Sequence, residues 1–535
     1  MVQSSASADV IVVGAGLAGS CAARELTLGG LKTILLDAGP VLPSSMFLAS
    51  PSPEYLFDLS YHLFRLKLIL KGDWQNAFSR FIAARTSELY LDRRKYPYST
   101  QPGQDFSWTR VRAVGGRGNL WGRVMLRYTD RELSKPGCEW PISYSDLEPY
   151  YAEIERILEM GGAPSQNPDV PDGEYVHARY LNTVERKFTE AIMRRYANRV
   201  AVVNHVAQYE PSPMSPMLSA ADETGNLQLI PNKLVTKLTS GSTTGEINEV
   251  VALNVVDGSV EKYTAPFVVL AASAFESVCI LLRSKSSMFP NGLGNRNGLL
   301  GTRILEHVVT TFTAQLPKKE RSKHPIHTHN PFKLNAEPHG FYLPPFNICK
   351  KGRSEQSNGY GIQGTISPDT GLFYLGAFGE TTCFDSNRIR LSETLKDRYG
   401  LAAPEIEFSW SSNDMSIYKE MVEAISDLVE VFEDDCGIKL ERPMLTRIHK
   451  ELTSIGFPLP GSNHECGGAR MGNDPKSSVV DPFNRLWDAP NIIVCDAACF
   501  PSIPHQNPTL TTMAIATRAA RALHSSKHIS TQVRV

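Results

Sequence analysis

The sequence predicts an α/β protein in which a Rossmann-like dinucleotide-binding domain carries an inserted α+β substrate-binding domain, an antiparallel sheet backed by helices. Three observations lead to this class. A strand, a glycine loop and a helix open the chain, further parallel-type strands occur at 267–272 and 491–496, and the region between them has a different, alternating pattern. A chain of 535 residues is also too long for one simple core.

Composition excludes several classes of protein. With 55 basic and 56 acidic residues, the net charge of −1 gives no electrostatic reason to expect nucleic acid or an anionic membrane as partner. No apolar run approaches ~18 residues and no signal-peptide pattern precedes Asp9, so we expect a soluble protein, cytoplasmic or otherwise intracellular. The nine cysteines are scattered without a Cys-x-x-Cys pair, which predicts reduced thiols, mostly in the core, and no metal site.

A glycine loop near the N-terminus lies between two short apolar strands. The strands are predicted at 9–13 and 32–37, with a helix between them. In the loop, Gly14 permits a sharp turn, Gly16 lets the backbone approach a pyrophosphate, and Gly19 lets the helix pack on the strand. Strand, loop, helix and second strand together predict dinucleotide binding.

The residues after the second strand favour a flavin nucleotide, although this unit alone does not separate FAD from NAD. Asp37 ends the strand where a carboxylate can accept ribose hydroxyl groups, which argues against a 2′-phosphate. Asp37-Ala-Gly39-Pro is more typical of flavoproteins. Further on, Arg112–Gly122 is a second glycine-dense loop, with Trp121, whose backbone suits close approach to a flat isoalloxazine ring. The alternative is a glycine-rich surface turn.

The middle of the chain alternates between two kinds of pattern. Alternating stretches within 227–262 predict an antiparallel meander. Residues 311–460 are different: strands near 387–391 and 406–410 and a helix near 415–432 predict a sheet with a helix on one face. We interpret this region as a substrate domain inserted into the nucleotide-binding domain.

The two domains are therefore predicted to be discontinuous in sequence. The cofactor-binding domain comprises 1–50, 100–130, 195–310 and 461–535. The substrate-binding domain and its cap segments comprise 51–99, 131–194 and 311–460.

His464 and Asn507 are the candidate catalytic residues. They lie in the segments 464–472 and 506–511, each broken by glycine or proline. An imidazole of ordinary pKa can accept a hydroxyl proton at neutral pH, and an amide can hydrogen-bond the same oxygen. The pair therefore suits proton abstraction from an alcohol. A histidine satisfied within a turn is the alternative reading of His464, and His505 is a rival that the sequence assigns to a loop or substrate contact.

Together these motifs resemble the glucose–methanol–choline (GMC) family of FAD-dependent oxidoreductases over nearly the full length of the chain. The resemblance is carried by the two glycine loops with Asp37-Ala38-Gly39, by 269–276, and above all by 464–472 with 507–511. The chain is most similar to the sugar-oxidising branch, which includes pyranose oxidases and glucoside 3-dehydrogenases.

The resemblance implies oxidation of a secondary alcohol, on a pyranose sugar or glycoside, to a ketone. His464 would be the general base, Asn507 would hydrogen-bond the substrate oxygen, and hydride would pass to flavin N5. The implied cofactor contacts are Gly14, Gly16, Leu17, Ala18, Gly19, Asp37, Ala38, Gly39, Arg112, Gly115, Gly116, Asn119, Leu120, Trp121, Gly122, Val235, Ala272, Ser273, Asp496, Ala497, Asn507, Pro508 and Thr509.

Two departures from the family pattern bear on the cofactor. Some members attach FAD covalently through a histidine just before the tryptophan of the flavin loop, and Leu120 stands at that position. The resemblance therefore implies non-covalent FAD. The ribose acid is Asp37 where glutamate is more usual, which shortens the reach by one methylene without removing the function.

Two other functions stay open at this stage. Phe341–Phe346 and Phe373-Tyr374 favour an apolar pocket and a non-sugar alcohol from secondary metabolism. A flavin-dependent lyase or isomerase without net redox chemistry would use the same fold. The expected partners are a small alcohol or sugar and an electron acceptor, which is oxygen, a quinone or a redox protein. Regiochemistry, the acceptor and the oligomeric state are not encoded in any motif.

Overall fold

The structure of the protein, a computed structural model, describes most of the chain. The described residues are 8–43, 89–104, 106–196, 199–209, 212–240, 247–322, 340–345, 359–442 and 464–532, together with positions 63, 66, 67 and 70.

The described chain contains both strands and helices, named below in chain order. The strands are β1 (Val10–Val13), β2 (Thr33–Leu36), β3 (Ser99–Thr100), β4 (Gly161–Gly162), β5 (His177–Ala178), β6 (Val202–Val203), β7 (Leu227–Ile230), β8 (Lys233–Ser240), β9 (Ile247–Asn254), β10 (Val260–Thr264), β11 (Phe267–Leu270), β12 (Ile304–Leu305), β13 (Val308–Gln315), β14 (Phe341–Leu343), β15 (Tyr360–Ser367), β16 (Leu372–Gly379), β17 (Arg388–Lys396), β18 (Ala402–Glu407), β19 (Cys466–Gly467), β20 (Arg485–Leu486) and β21 (Ala489–Val494). The α-helices are α1 (Leu17–Leu28), α2 (Asp130–Leu133), α3 (Tyr144–Ile157), α4 (Thr183–Arg195), α5 (Pro216–Glu223), α6 (Ala274–Arg283), α7 (Ser412–Asp434) and α8 (Thr509–Gln532).

The first sheet is the parallel sheet of the predicted nucleotide-binding domain. Its six strands run in the order β20-β21-β11-β1-β2-β7, and only β20 is antiparallel to its neighbour. All four residues of β1 and of β2 are buried, which explains their continuous apolar and β-branched character. Helix α1 packs against α8 and α5 beside the sheet. The strands near 270 and 494, far apart in sequence, are parallel neighbours in this sheet.

The predicted meander over 227–262 is wrong in its first strand. β7 (Leu227–Ile230) pairs in parallel with β2 and forms the edge of the first sheet, while β8, β9 and β10 alone make the antiparallel meander. The short connection between β7 and β8 contains no sequence signal that the two strands lie in different sheets. Local alternation describes a half-exposed strand correctly but does not identify its pairing partner.

Two glycines allow α1 to follow β1 directly. Gly14 has a φ of +98°, and a Cβ there would overlap the carbonyl oxygen of Ala271, which directly follows the neighbouring strand β11. A Cβ at Gly19 would overlap the carbonyl oxygen of Gly14 itself. By contrast, a Cβ at Gly16 would meet no protein atom within 4 Å. The outer two glycines are therefore required by packing, whereas Gly16 borders open space.

The second sheet is antiparallel and is backed by helices, as predicted. Its five strands run in the order β13-β16-β15-β14-β6, and α7 packs on β13 and β16 with α4 beside it. β6, at Val202–Val203, belongs to this sheet although the sequence assigns 195–310 to the cofactor domain. The prediction that α7 covers the strands near 387–391 and 406–410 is wrong, because those strands, β17 and β18, form a separate sheet with β3 that lies against α6.

The aromatic residues expected to line an apolar pocket lie mostly in the core instead. Phe341 and Phe373 are fully buried and pack around Phe188, and the Phe373 and Phe432 ring centroids are 4.6 Å apart. They occupy the helix side of the second sheet, between its strands and helices α4 and α7. Phe346, in the same predicted motif, lies outside the described residues.

No helix within the described ranges combines the length and the apolar character needed to cross a membrane.

We expect Gly19→Ala and Gly16→Ala to behave differently. Alanine normally stabilises a helix relative to glycine, but the added methyl at position 19 overlaps the Gly14 carbonyl and should cost about 1–3 kcal/mol of folding free energy. Gly16→Ala should keep the wild-type Tm of cofactor-stripped protein and lose bound flavin. Differential scanning calorimetry and flavin absorbance measure the two effects. An unchanged Tm in Gly19→Ala would contradict this account of the glycine.

Candidate active site

Three loops at the carboxyl edge of the first sheet are joined by hydrogen bonds to form a cradle. The Asp37 carboxylate accepts the N–H groups of Ala15 and Gly39, each at 2.8 Å. The N–H of Gly115, in the second glycine loop, donates to the Ala15 carbonyl at 2.9 Å. The first glycine loop, the turn after β2 and the second glycine loop therefore form one unit.

The charges of this cradle fit a dinucleotide. Burial raises the pKa of the Asp37 carboxyl to about 6, although the amide hydrogen bonds and the charge of Arg112 lower it, so the group is largely ionised at neutral pH. Arg112 has a buried Nη1 to which no described residue offers a hydrogen-bond acceptor. A phosphate or ribose oxygen bound here would satisfy that orphaned donor.

The two glycine loops approach each other closely, with few side chains beside them. A Cβ at Gly116 would lie 3.4 Å from the Cα of Gly16, whereas a Cβ at Gly16 or Gly122 would meet no atom within 4 Å. The side chain of Leu17 covers Gly118. The open space beside Gly16 adjoins the N-terminus of α1, whose free amides and helix dipole favour a phosphate group there.

A fourth segment closes the cradle from the C-terminal part of the chain. The Ala272 N–H donates to Ser277 Oγ at 3.1 Å, and Ser277 Oγ donates to the Asp496 carboxylate. The other oxygen of Asp496 accepts the Ala498 N–H at 3.0 Å. Burial raises the pKa of Asp496 to about 6. Both Asp496 oxygens thus bind protein donors, and Ser273, with a φ of +81°, lies at the turn they stabilise.

The remaining predicted cofactor residues lie around the same loops. Asn119 Nδ2 donates to the Val114 carbonyl at 2.8 Å, and Trp121 Nε1 donates to the hydroxyl of Tyr209 at 3.2 Å. Direct contact of these residues with the cofactor stays a prediction. The others sit in the first turn of α1 (Leu17, Ala18), within the second glycine loop (Leu120), in β8 (Val235), in the turns that contain Ala38 and Ala497, and at the start of α8 (Pro508, Thr509).

The structure brings the two candidate catalytic side chains together. His464 Nε2 lies 3.4 Å from Asn507 Nδ2. Both residues are partly exposed, whereas His505 and Gln506 beside them are 1% exposed. His505 Nδ1 lies 3.7 Å from a Glu380 carboxylate oxygen, and the His505 ring stacks on Tyr342. Because these contacts engage the His505 ring, His464 is the better candidate for the base.

Sequence reasoning missed the residues that hold His464. Its Nδ1 lies 2.8 Å from Nδ1 of His307, and its backbone N–H donates to Glu306 Oε1 at 3.2 Å. Arg117, in the second glycine loop, forms an ion pair with Glu465. The signal was two adjacent ionisable residues, Glu306 and His307, inside an apolar run that becomes β12 and β13, because such residues are rarely buried without a partner.

The hydrogen bonds fix which nitrogen of each histidine carries the proton. The Pro504 carbonyl can only accept, so His307 Nε2 is its N–H donor. In neutral His307 the Nδ1 is then an acceptor, and the donor across the 2.8 Å contact must be His464 Nδ1. This assignment leaves an electron pair on His464 Nε2, the atom nearest Asn507.

Both imidazoles are held in their neutral form. Burial, the neighbouring His307 and the charge of Arg117 hold the pKa of His464 well below its usual range. Burial lowers the pKa of His307 to about 4, although its hydrogen bond to the Pro504 carbonyl opposes that shift. His464 is thus ready to accept a proton at neutral pH.

One face of the second sheet forms a polar wall beside this pair. Gln363 Nε2 donates to Asn507 Oδ1 at 2.6 Å, which orients the Asn507 amide with its NH₂ group toward His464. Phe378, on the same sheet face, packs on His464 with ring centroids 5.8 Å apart. Because side chains alternate along a strand, Tyr374 shares that face, and its hydroxyl lies over Gly376, where a Cβ would overlap it.

Comparisons with known proteins identify the family of the chain. A family model described as FAD binding domain matches residues 9–299, and one described as GMC oxidoreductase matches residues 384–516. The chain is 23% identical to the gluconate 2-dehydrogenase flavoprotein of Pantoea cypripedii, over 96% of this chain and 93% of that protein. It is 24% identical to the fructose dehydrogenase large subunit of Gluconobacter japonicus, over 98% and 99% of the two chains.

A solved structure gives the same fold. The crystal structure of pyridoxine 4-oxidase from Mesorbium loti aligns with a TM-score of 0.64 at 16% identity, over 97% of this chain and 99% of that one. The family models together match residues 9–299 and 384–516, and the resemblance inferred from the sequence is confirmed. The chain belongs to the glucose–methanol–choline family of FAD-dependent oxidoreductases.

Proposed function

We propose that this protein oxidises a secondary alcohol of a pyranose sugar or glycoside to a ketone, with His464 as the base and Asn507 as the partner of the substrate oxygen. The observation that carries the proposal is the chain of contacts from Pro504 through His307 and His464 to Asn507. It leaves one unprotonated imidazole nitrogen and one amide donor side by side.

The two side chains have complementary roles toward one hydroxyl group. His464 Nε2 takes the hydroxyl proton, since its lowered pKa keeps it free at working pH. The Asn507 NH₂ group donates to the same oxygen and stabilises the negative charge that develops as the proton leaves. Gln363 and His307 hold these two groups in position, which limits the entropic cost of reaction.

Bound FAD supplies the hydride acceptor for the carbinol carbon. The residues proposed to hold it are those of the glycine loops, the Asp37 turn and the segments at 272–273, 496–497 and 507–509. Leu120 has no nucleophilic atom, so we propose that the cofactor is bound without a covalent link at that position. An external acceptor, which is oxygen, a quinone or a redox protein, completes the cycle.

The polar wall supports a substrate rich in hydroxyl groups. Gln363 and Tyr374 lie on the sheet face that carries Phe378, and Phe378 packs on His464. Phe341 and Phe373, which favoured an apolar substrate, are directed into the core instead. Relatives named for gluconate and fructose support the same substrate class.

We expect His464→Ala to lower the rate of flavin reduction by at least about 100-fold, because general-base catalysis contributes that much or more. Anaerobic mixing with a panel of sugars and glycosides, read as flavin bleaching, measures it. His177→Ala is the matched control, since His177 is an exposed histidine far from the cradle in sequence and outside this network. Bleaching of His464→Ala at the wild-type rate would remove His464 from the role of base.

Variants at His307 test the tautomer assignment. His307→Gln can still donate to Pro504 and accept from His464, whereas His307→Leu can do neither. We expect kcat to fall by about 10- to 100-fold in His307→Leu, by analogy with residues that orient metal-binding histidines, with much of the loss recovered in His307→Gln. Equal losses in the two variants would indicate a role in packing alone.

The pH profile follows from the same pKa values. His464 must be unprotonated to act, and its pKa is lowered in the folded protein, so activity should be lost only as pH falls through that depressed pKa. We expect the acid limb of kcat/KM to lie below pH 6.5, the ordinary value for histidine. An acid limb at or above that value in steady-state assays would contradict the assignment.

Non-covalent attachment is tested by denaturation. We expect trichloroacetic acid to release all the flavin into the supernatant, because position 120 offers no covalent ligand. A yellow protein pellet that stays fluorescent after washing would show that another residue forms the bond.

A further inference from the structure

Two cysteines of this protein differ from the others in exposure. Of the eight cysteines in the described part of the chain, six are buried, and only Cys138 and Cys383 are partly exposed. Cys138 follows α2, and Cys383 follows β16, the strand that carries Phe378 and Tyr374. The two are far apart in sequence, and the fold brings them together.

Polar contacts before and after the two cysteines hold the chain segment around Cys138 against the segment around Cys383. Three residues before each cysteine, Lys135 Nζ lies 2.7 Å from the Glu380 carboxylate. Arg303 joins the segments again, with its Nε 2.6 Å from an Asp385 carboxylate oxygen and its Nη1 3.5 Å from the Gly137 carbonyl. The segments 135–138 and 380–385 are thus tied together just before and just after the two sulfur atoms.

The thiols of Cys138 and Cys383 lie close enough for each to shift the pKa of the other, and Cys383 Sγ also lies 3.3 Å from the Pro501 carbonyl oxygen. The hydrogen bond from Cys383 and the charges of Lys135 and Arg303 lower the pKa of Cys138 to about 7, against the effect of burial. A thiolate that is accessible and close to a second thiol has the properties of an exchange-reactive cysteine.

We propose that Cys138 and Cys383 form a thiol–disulfide site that a low-molecular-weight disulfide oxidises to an intramolecular bond. The Cys138 thiolate attacks one sulfur of the reagent, releases one thiol and forms a mixed disulfide. Cys383 then attacks the Cys138 sulfur and releases the second thiol. The two cysteines lose two electrons and two protons, and the reagent gains them as two thiols.

The bond would fasten the end of the polar wall to the segment before α3. Glu380, three residues before Cys383, lies against both Lys135 and His505, and His505 is in the loop that leads to Asn507. A cross-link here encloses a long stretch of chain and restricts the unfolded state. The oxidised protein should therefore have a higher Tm than the reduced protein.

The experiment treats the holoenzyme with excess oxidised glutathione, alkylates the remaining thiols and maps peptides without reduction. We expect a single Cys138–Cys383 linked peptide, alkylation to fall by two thiols, and an upward shift of Tm that dithiothreitol reverses. Cys383→Ser should instead hold glutathione on Cys138, because no second thiol resolves the mixed disulfide. Cys436→Ser, which removes a buried cysteine elsewhere, should still form the link.

Separate alkylation of Cys138 and Cys383 in treated wild-type protein, or a link from either one to a different cysteine, would overturn the proposal. A stable glutathione adduct on wild-type Cys138 with Cys383 free would do so as well. None of these readouts uses a substrate, so they are independent of whether His464 abstracts a proton from a sugar.

Discussion

The structure depends on the close approach of two backbone segments, the end of β1 and the first turn of α1, with no side chain between them. The carbonyl oxygen of Gly14 occupies the space that a Cβ of Gly19 would need, and Gly14 itself lies against the backbone of Ala271. This packing aims the N-terminus of α1 across the edge of the sheet, where the Gly115 N–H binds the Ala15 carbonyl. The second glycine loop is positioned by that bond, and Arg117 in that loop pairs with Glu465 beside the candidate base. The proposed cofactor site and the candidate catalytic site are thus parts of a single arrangement of loops.

The two sheets supply different chemical groups to the candidate site. The parallel sheet offers backbone amides, glycines and a carboxylate, which suit a phosphate and a ribose. Side chains that orient Asn507 and surround the reacting position come from the antiparallel sheet, through Gln363 and Phe378. Its opposite face is occupied by a packed aromatic cluster under α4 and α7. That cluster makes the wall rigid, so the Gln363 amide is held on a strand and not on a loop.

The cofactor half of the fold was largely predictable from sequence, and the catalytic environment was not. The spacing of Gly14, Gly16 and Gly19 between two apolar strands reflects local steric requirements, and the structure has the strand, turn and helix that this spacing predicts. The sequence also singled out His464 and Asn507, and the structure brings their side-chain nitrogens within 3.4 Å of each other. The pairing of β7 with β2 and of α7 with β13 and β16 depends on long-range geometry that periodicity does not contain. His307 escaped notice for a related reason: its importance lies in a contact with a residue 157 positions away.

The chain of contacts behind His464 ends at a carbonyl, and this ending determines the fate of the proton. The oxygen of Pro504 accepts a hydrogen bond but is far too weak a base to hold a proton, so His307 cannot pass one onward. The network therefore orients the His464 imidazole but gives its proton no path through His307. In the proposed mechanism, a proton taken by His464 Nε2 can leave only from that nitrogen. Turnover then requires a proton acceptor on the substrate side of the imidazole before the base is ready again.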